Sequence, residues 1–121
     1  MTVEAMWKFQ SGSVGSEDTP VWGGIVVLES GRVFGGDSLM AYLGTYEVDR
    51  GKITAHVRSW AWNTDVPAEE FENVFGMTSD IDHNVVLEGE ISGNEIHGVL
   101  RSDKMEGVEL KSRMIKIADL P

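Results

Sequence analysis

The side chains best placed to do chemistry in this chain are three histidines, His56, His83 and His97, and several close pairs of carboxylates. Metal binding would call for histidines two or four residues apart on one element, or a motif such as HExxH. None of the three stands at such a spacing, so no metal is expected. The pairs Glu69/Glu70, Asp80/Asp82 and Glu88/Glu90 carry acid–base potential. Glu88 and Glu90 share one face of an alternating segment and read as a solvated outer surface. Asp80-Ile81-Asp82-His83-Asn84 has the acid spacing of a calcium loop but lacks its glycine and distal glutamate. Gly35-Gly36-Asp37 has neither the glycine spacing nor the Lys-Ser/Thr ending of a phosphate loop. No GxSxG elbow is present. The absence of cysteine excludes a thiol nucleophile, a thiolate metal site and a disulfide. The expectation is a protein with no catalytic residue, metal or cofactor, and therefore not an enzyme. A histidine–carboxylate couple built in a cleft on His56 or His97 would be the exception.

The aromatic side chains say more. Between residues 52 and 63, Ile53, Ala55, Val57 and Ala61 alternate with Thr54, His56, Arg58, Trp60 and Trp62. This is the clearest period-two pattern in the chain. If the small apolar face lines the interior, Trp60 and Trp62 point outward and form a contact surface for a second subunit or a partner. The opposite assignment would place them in a pocket with Arg58. Trp7, near the start, and Arg113, near the end, are candidates for a cation–π clamp where the two ends of a sheet meet.

The elements that must position these groups are short strands separated by glycine turns. Strands are expected at 3–11, 22–28, 32–36, 42–48, 52–63, 83–92, 95–102 and 108–117. Residues 12–20 form a polar connector. Asp37 and Ser38 are good caps, so 38–41 reads as one helical turn. Residues 69–74 read as a short helix, or 74–78 as a further strand. The total is eight or nine strands with at most one or two short helices. Such a meander must bury one face and hide its edges, and closure into an antiparallel up-and-down barrel does both. A two-sheet sandwich is the alternative. An eight-stranded barrel is filled by side chains or holds one small ligand.

The chain has 121 residues, 41% of them hydrophobic and 25% charged, which suits one globular domain spanning 1–121. Its formal net charge of −10 repels nucleic acid and anionic lipid and favours a basic protein partner. The first residues show no basic stretch leading into an apolar run, so no signal peptide is expected. No apolar run is long enough to cross a membrane as a helix. With the lack of cysteine, this gives a cytoplasmic expectation.

Residues 24–28 (GIVVL), 31–37 (GRVFGGD) and 42–46 (YLGTY), with Trp7-Lys8-Phe9 upstream, resemble the GrlR-like family of negative regulators of type III secretion. The resemblance covers residues 7 to 57. It implies an eight-stranded lipocalin-like (calycin) barrel that encloses an apolar cavity and forms a homodimer. It also implies regulation by binding a transcriptional activator rather than by catalysis. In the best-known member, four consecutive acidic residues after Tyr-x-Gly-x-Tyr make that contact. The matching segment here is Glu47-Val48-Asp49-Arg50, where Glu47 and Asp49 are acidic and Arg50 is basic. Two readings follow. One is a regulatory interaction protein that uses Glu47, Asp49, Trp60 and Trp62. The other is a carrier of a small apolar ligand, with Gly24, Ala55 and Gly98 among its interior positions.

Overall fold

The computed structural model describes residues 3–12, 22–65 and 82–121. Eight strands run in sequence order: β1 (Ala5–Gly12), β2 (Trp22–Glu29), β3 (Arg32–Gly36), β4 (Met40–Asp49), β5 (Lys52–Ala61), β6 (His83–Ser92), β7 (Glu95–Ser102) and β8 (Leu110–Asp119). Each pairs antiparallel with its neighbour in the chain, and β8 returns to β1, so the sheet closes into a barrel with no free edge. The sandwich alternative is thereby excluded. No helix occurs among the described residues. The expected connector at 12–20 lies, beyond Gly12, outside the described residues, as do the helix at 69–74 and the strand at 74–78.

The turns follow from backbone sterics. Ser30 and Gly31 have φ of 51° and 78°, and Arg50 and Gly51 have 53° and 79°. Positive φ at both central residues is the mark of a type I′ hairpin, whose twist matches that of the flanking strands. One expected turn takes another form. Residues 38–41 are not helical: Met40 and Ala41 already belong to β4. The capping chemistry is present, because Asp37 Oδ1 accepts hydrogen bonds from the backbone N–H groups of Leu39 (2.8 Å) and Met40 (2.6 Å). It closes a tight loop instead of starting a helix. Trp62 and Asn63 hold that loop from the other side, donating their backbone N–H groups to Leu39 O.

Period-two alternation puts Ile53, Ala55, Val57 and Ser59 of β5 inside the barrel, level with Val85, Leu87 and His83 of β6. Trp7, Leu28, Ile53 and Ile96 are almost fully buried and close-pack the end of the barrel where the β2–β3, β4–β5 and β6–β7 turns lie. Trp7 also satisfies its indole N–H, donating to Val3 O at 3.0 Å. At the opposite end the interior turns polar, with Ser11, Ser59, His83, Ser102 and Ser112 all buried.

Small residues let the strands bend this tightly. A Cβ added to Gly44 on β4 would collide with the carbonyl oxygen of His56 on β5. One added to Gly98 on β7 would collide with that of Glu88 on β6. Closure thus depends on glycine at these approaches.

Candidate functional site

A cavity of about 310 Å³ lies within the barrel. Its wall is mainly apolar, with Val26, Leu28, Ile53, Ala55, Leu87 and Met114 among its residues. Of the interior positions expected from sequence, Ala55 lines it, whereas Gly24 and Gly98 do not. Five polar residues, Asp37, Ser38, Tyr42, Ser59 and His83, also line it. Sequence reading had not singled out Tyr42 or Ser59 as site residues. The available signal was Ser59 interrupting an otherwise apolar inward face.

These polar groups are largely satisfied among themselves. The Tyr42 hydroxyl donates a short hydrogen bond to Asp37 Oδ2. Burial, reinforced by the Asp37 carboxylate, holds Tyr42 protonated far above the usual phenol range. Its ring packs edge-on against Phe9, with centroids 6.3 Å apart. His83 Nδ1 and Ser102 Oγ lie 2.6 Å apart. Removal from water lowers the His83 pKa, so the neutral ring is favoured. Ser59 differs: its hydroxyl lines the cavity and makes no hydrogen bond with the described residues. Ser112 Oγ likewise has no partner and is buried in the same polar layer.

The other two histidines lie on the outer surface. His56 is exposed, and His97 Nε2 sits 3.2 Å from Glu95 Oε1 on a water-facing strand. No group of His, Asp or Glu able to hold a metal occurs among the described residues.

The two outward tryptophans behave differently. Trp62 is 53% exposed, and its indole N–H donates to Asp37 O at 3.0 Å, tying the 37–40 loop down. Trp60 is half-buried beneath Arg58, whose guanidinium carbon lies 4.4 Å from the ring centroid. Arg58 in turn makes a paired hydrogen bond with Asp82, at 3.0 and 2.8 Å. The Trp7–Arg113 clamp does not form. Trp7 points into the barrel, whereas Arg113 shares the outer face with Gln10 and bonds Glu95 at 2.8 Å. Arg113 faces outward because it alternates with buried Ser112 and Met114 on β8.

Glu47 and Asp49 stand exposed beside the β4–β5 turn, well away from both tryptophans along the strands. The four expected contact residues therefore do not form one cluster. Asp49 makes only a loose ion pair with Arg50, at 3.9 Å and with both side chains almost fully exposed.

The larger apolar surface lies elsewhere. Two rungs cross the outside of the sheet from β1 to β5. One is Met6–Val27–Phe34–Leu43–Arg58, and the next is Lys8–Ile25–Gly36–Ala41–Trp60. Ile25 is 40% exposed, Phe34 37% and Leu43 48%. Sequence periodicity missed this face because 24–28 is apolar on both sides and gives no alternation to read. No helix among the described residues is long and apolar enough to cross a membrane. Comparison with known proteins adds no name to this geometry, because no protein-family model and no curated protein matches the chain.

Proposed function

We propose that this is a non-enzymatic interaction protein of the GrlR-like kind, acting as a homodimer that binds a protein partner. The observation that carries the reading is the apolar outer face of β1–β5. Five strands at about 4.8 Å spacing make it roughly 20 Å wide. Lys8 and Arg58 border it at opposite ends of the two rungs. An apolar centre with a polar rim is the anatomy of a protein contact. A second copy is the occupant that fits best. The chain is strongly acidic, and identical acidic surfaces associate through an uncharged patch instead of through charge pairing. Glu47 and Asp49 at the β4–β5 turn lie beyond the rungs and remain accessible to a basic partner such as a transcriptional activator.

Sedimentation equilibrium tests the dimer. A dimer is expected at micromolar concentration, and a monomer at about 50 μM would overturn it. Affinity capture with wild type and with Glu47→Gln/Asp49→Asn tests the acidic contact. A salt-sensitive protein retained by wild type and lost by the double variant is expected; equal retention by both removes these residues from the contact.

A second reading is a carrier for a small apolar ligand. It is favoured by the 310 Å³ cavity and its aliphatic wall. Binding of the neutral fluorophore N-phenyl-1-naphthylamine checks it, with blue-shifted, saturable emission expected.

A further inference from the structure

We infer that the barrel's ligand is a neutral, single-chain amphiphile of about ten carbons, with a hydroxyl or carbonyl head held by Ser59 at the polar end of the cavity. This rests on the carrier reading above. Three features of the site set the ligand class.

The first is size. At about 30 Å³ for each water-sized unit, 310 Å³ holds roughly ten such units. One medium-length tail fits, and a two-tailed lipid does not. The cavity wall from Ile53 to Ser59 covers six residue steps along β5, about 20 Å of strand. That length suits an extended tail better than a compact ring system.

The second is polarity along the barrel. Leu28, Ile53 and Ala55 lie toward the close-packed end, and Ser59 and His83 toward the other. A tail entering the apolar part places its head at Ser59. Asp37 is already engaged as an acceptor by Leu39, Met40 and Tyr42 and cannot donate to a head while ionised. The Ser59 hydroxyl lines the cavity and makes no hydrogen bond with the described residues, so it can donate to or accept from the head.

The third is charge. Among the described residues lining the cavity there is no lysine or arginine, and the one carboxylate is Asp37. A fatty-acid carboxylate would be buried with no cation and with Asp37 nearby, which opposes its binding. Alcohol, amide or lactone heads carry no such cost. The charge of the lining thus selects against the acids that many apolar cavities accept.

Displacement of N-phenyl-1-naphthylamine from the recombinant protein at pH 7.5 tests this. The competitors are 1-alkanols from hexanol to tetradecanol, decanamide, decanoate and decylamine. Alkanol affinity is expected to rise about fourfold per methylene and to level off near ten carbons. Decanol and decanamide should outcompete decanoate at least tenfold, and Ser59→Ala should weaken both about fivefold. The comparison of neutral with charged heads needs no variant, so it does not depend on the folding of one. Decanoate matching decanol, or decylamine exceeding it, would overturn the head assignment while leaving the carrier reading intact. Affinity that climbs without limit through tetradecanol would overturn the size. Failure of the fluorophore itself to bind would sink the carrier reading.

Discussion

The outside of this barrel has two halves of opposite chemistry. Across β1–β5 the rungs present Met6, Ile25, Phe34 and Leu43 to solvent. Across β6–β8 outward positions carry more ion pairs, with Ile117 the one large exposed apolar side chain among the described residues there. Arg101 joins Glu88 at 3.2 Å and Glu109 at 2.6 Å, and Arg113 joins Glu95 at 2.8 Å. Both halves are antiparallel sheet over one shared interior, apolar toward one end and polar toward the other. The difference therefore has nothing to do with making a barrel. One half is suited to water, and the other carries apolar area that a water-facing surface has no need of. The contrast supports the proposed contact surface better than the tryptophans do, since Trp60 and Trp62 are each engaged within the protein.

The sharpest way to break this comparison is to make the apolar half resemble the charged one. Leu43→Asp with Phe34→Asp should weaken self-association by at least a hundredfold in sedimentation, since two charges would be buried without partners. The matched change on the other half, Arg101→Gln, should leave association unchanged. Equal effects from the two would dissolve the distinction.

The interior should show no such asymmetry. Gly44→Ala beneath the apolar half and Gly98→Ala beneath the charged half both force a Cβ into backbone of the adjacent strand. Each should cost about 1–3 kcal/mol in urea unfolding, or prevent closure. A neutral result at either position would mean that the strands can separate there.

A smaller effect comes from pH. His83 is buried, and desolvation lowers its pKa below 6.5. The unfolded chain therefore takes up a proton near pH 6.5 that the folded protein takes up only at lower pH. Stability from this group is complete above pH 6.5 and declines as pH falls from there through the folded value. Glu95, Asp82 and Asp103 are held below their ordinary 4.5, 3.8 and 3.8 by hydrogen bonds to Arg113, Arg58 and Asn84. Their contribution is present above those ordinary values and is lost at still lower pH. Loss of stability as pH falls below 6.5, before the carboxylates begin to titrate, should thus shrink in His83→Gln, as read by thermal melts. The smallest expected change is in the ion pairs themselves: Arg101→Gln should barely move the melting midpoint, because its partners are exposed and screened.

Strict alternation at 53–62 showed which β5 side chains share a face, and burial of Ile53 and Ala55 agrees with the inward assignment. The pairs Ser30-Gly31, Arg50-Gly51 and Gly93-Asn94 mark hairpins that local sterics alone make legible. The 38–41 segment was not legible. The same Asp37 cap that can start a helix closes a loop here, and the choice falls to Met40 pairing with Ala61. The Trp7–Arg113 pairing was equally opaque: alternation puts Arg113 on the face opposite Met114, and only the β1–β8 register shows that it meets Gln10.

The amino-acid order by itself determined the strands and the β2–β3, β4–β5 and β6–β7 hairpins, because period-two patterning and positive-φ glycines act within a few residues of chain. Closure decided the rest. It determined that Ser59 and His83 share a buried space with Tyr42, and that Ile25, Phe34 and Leu43 form one outer surface. Residues on separate strands become neighbours only through register, and register is a property of the paired sheet, not of any one segment.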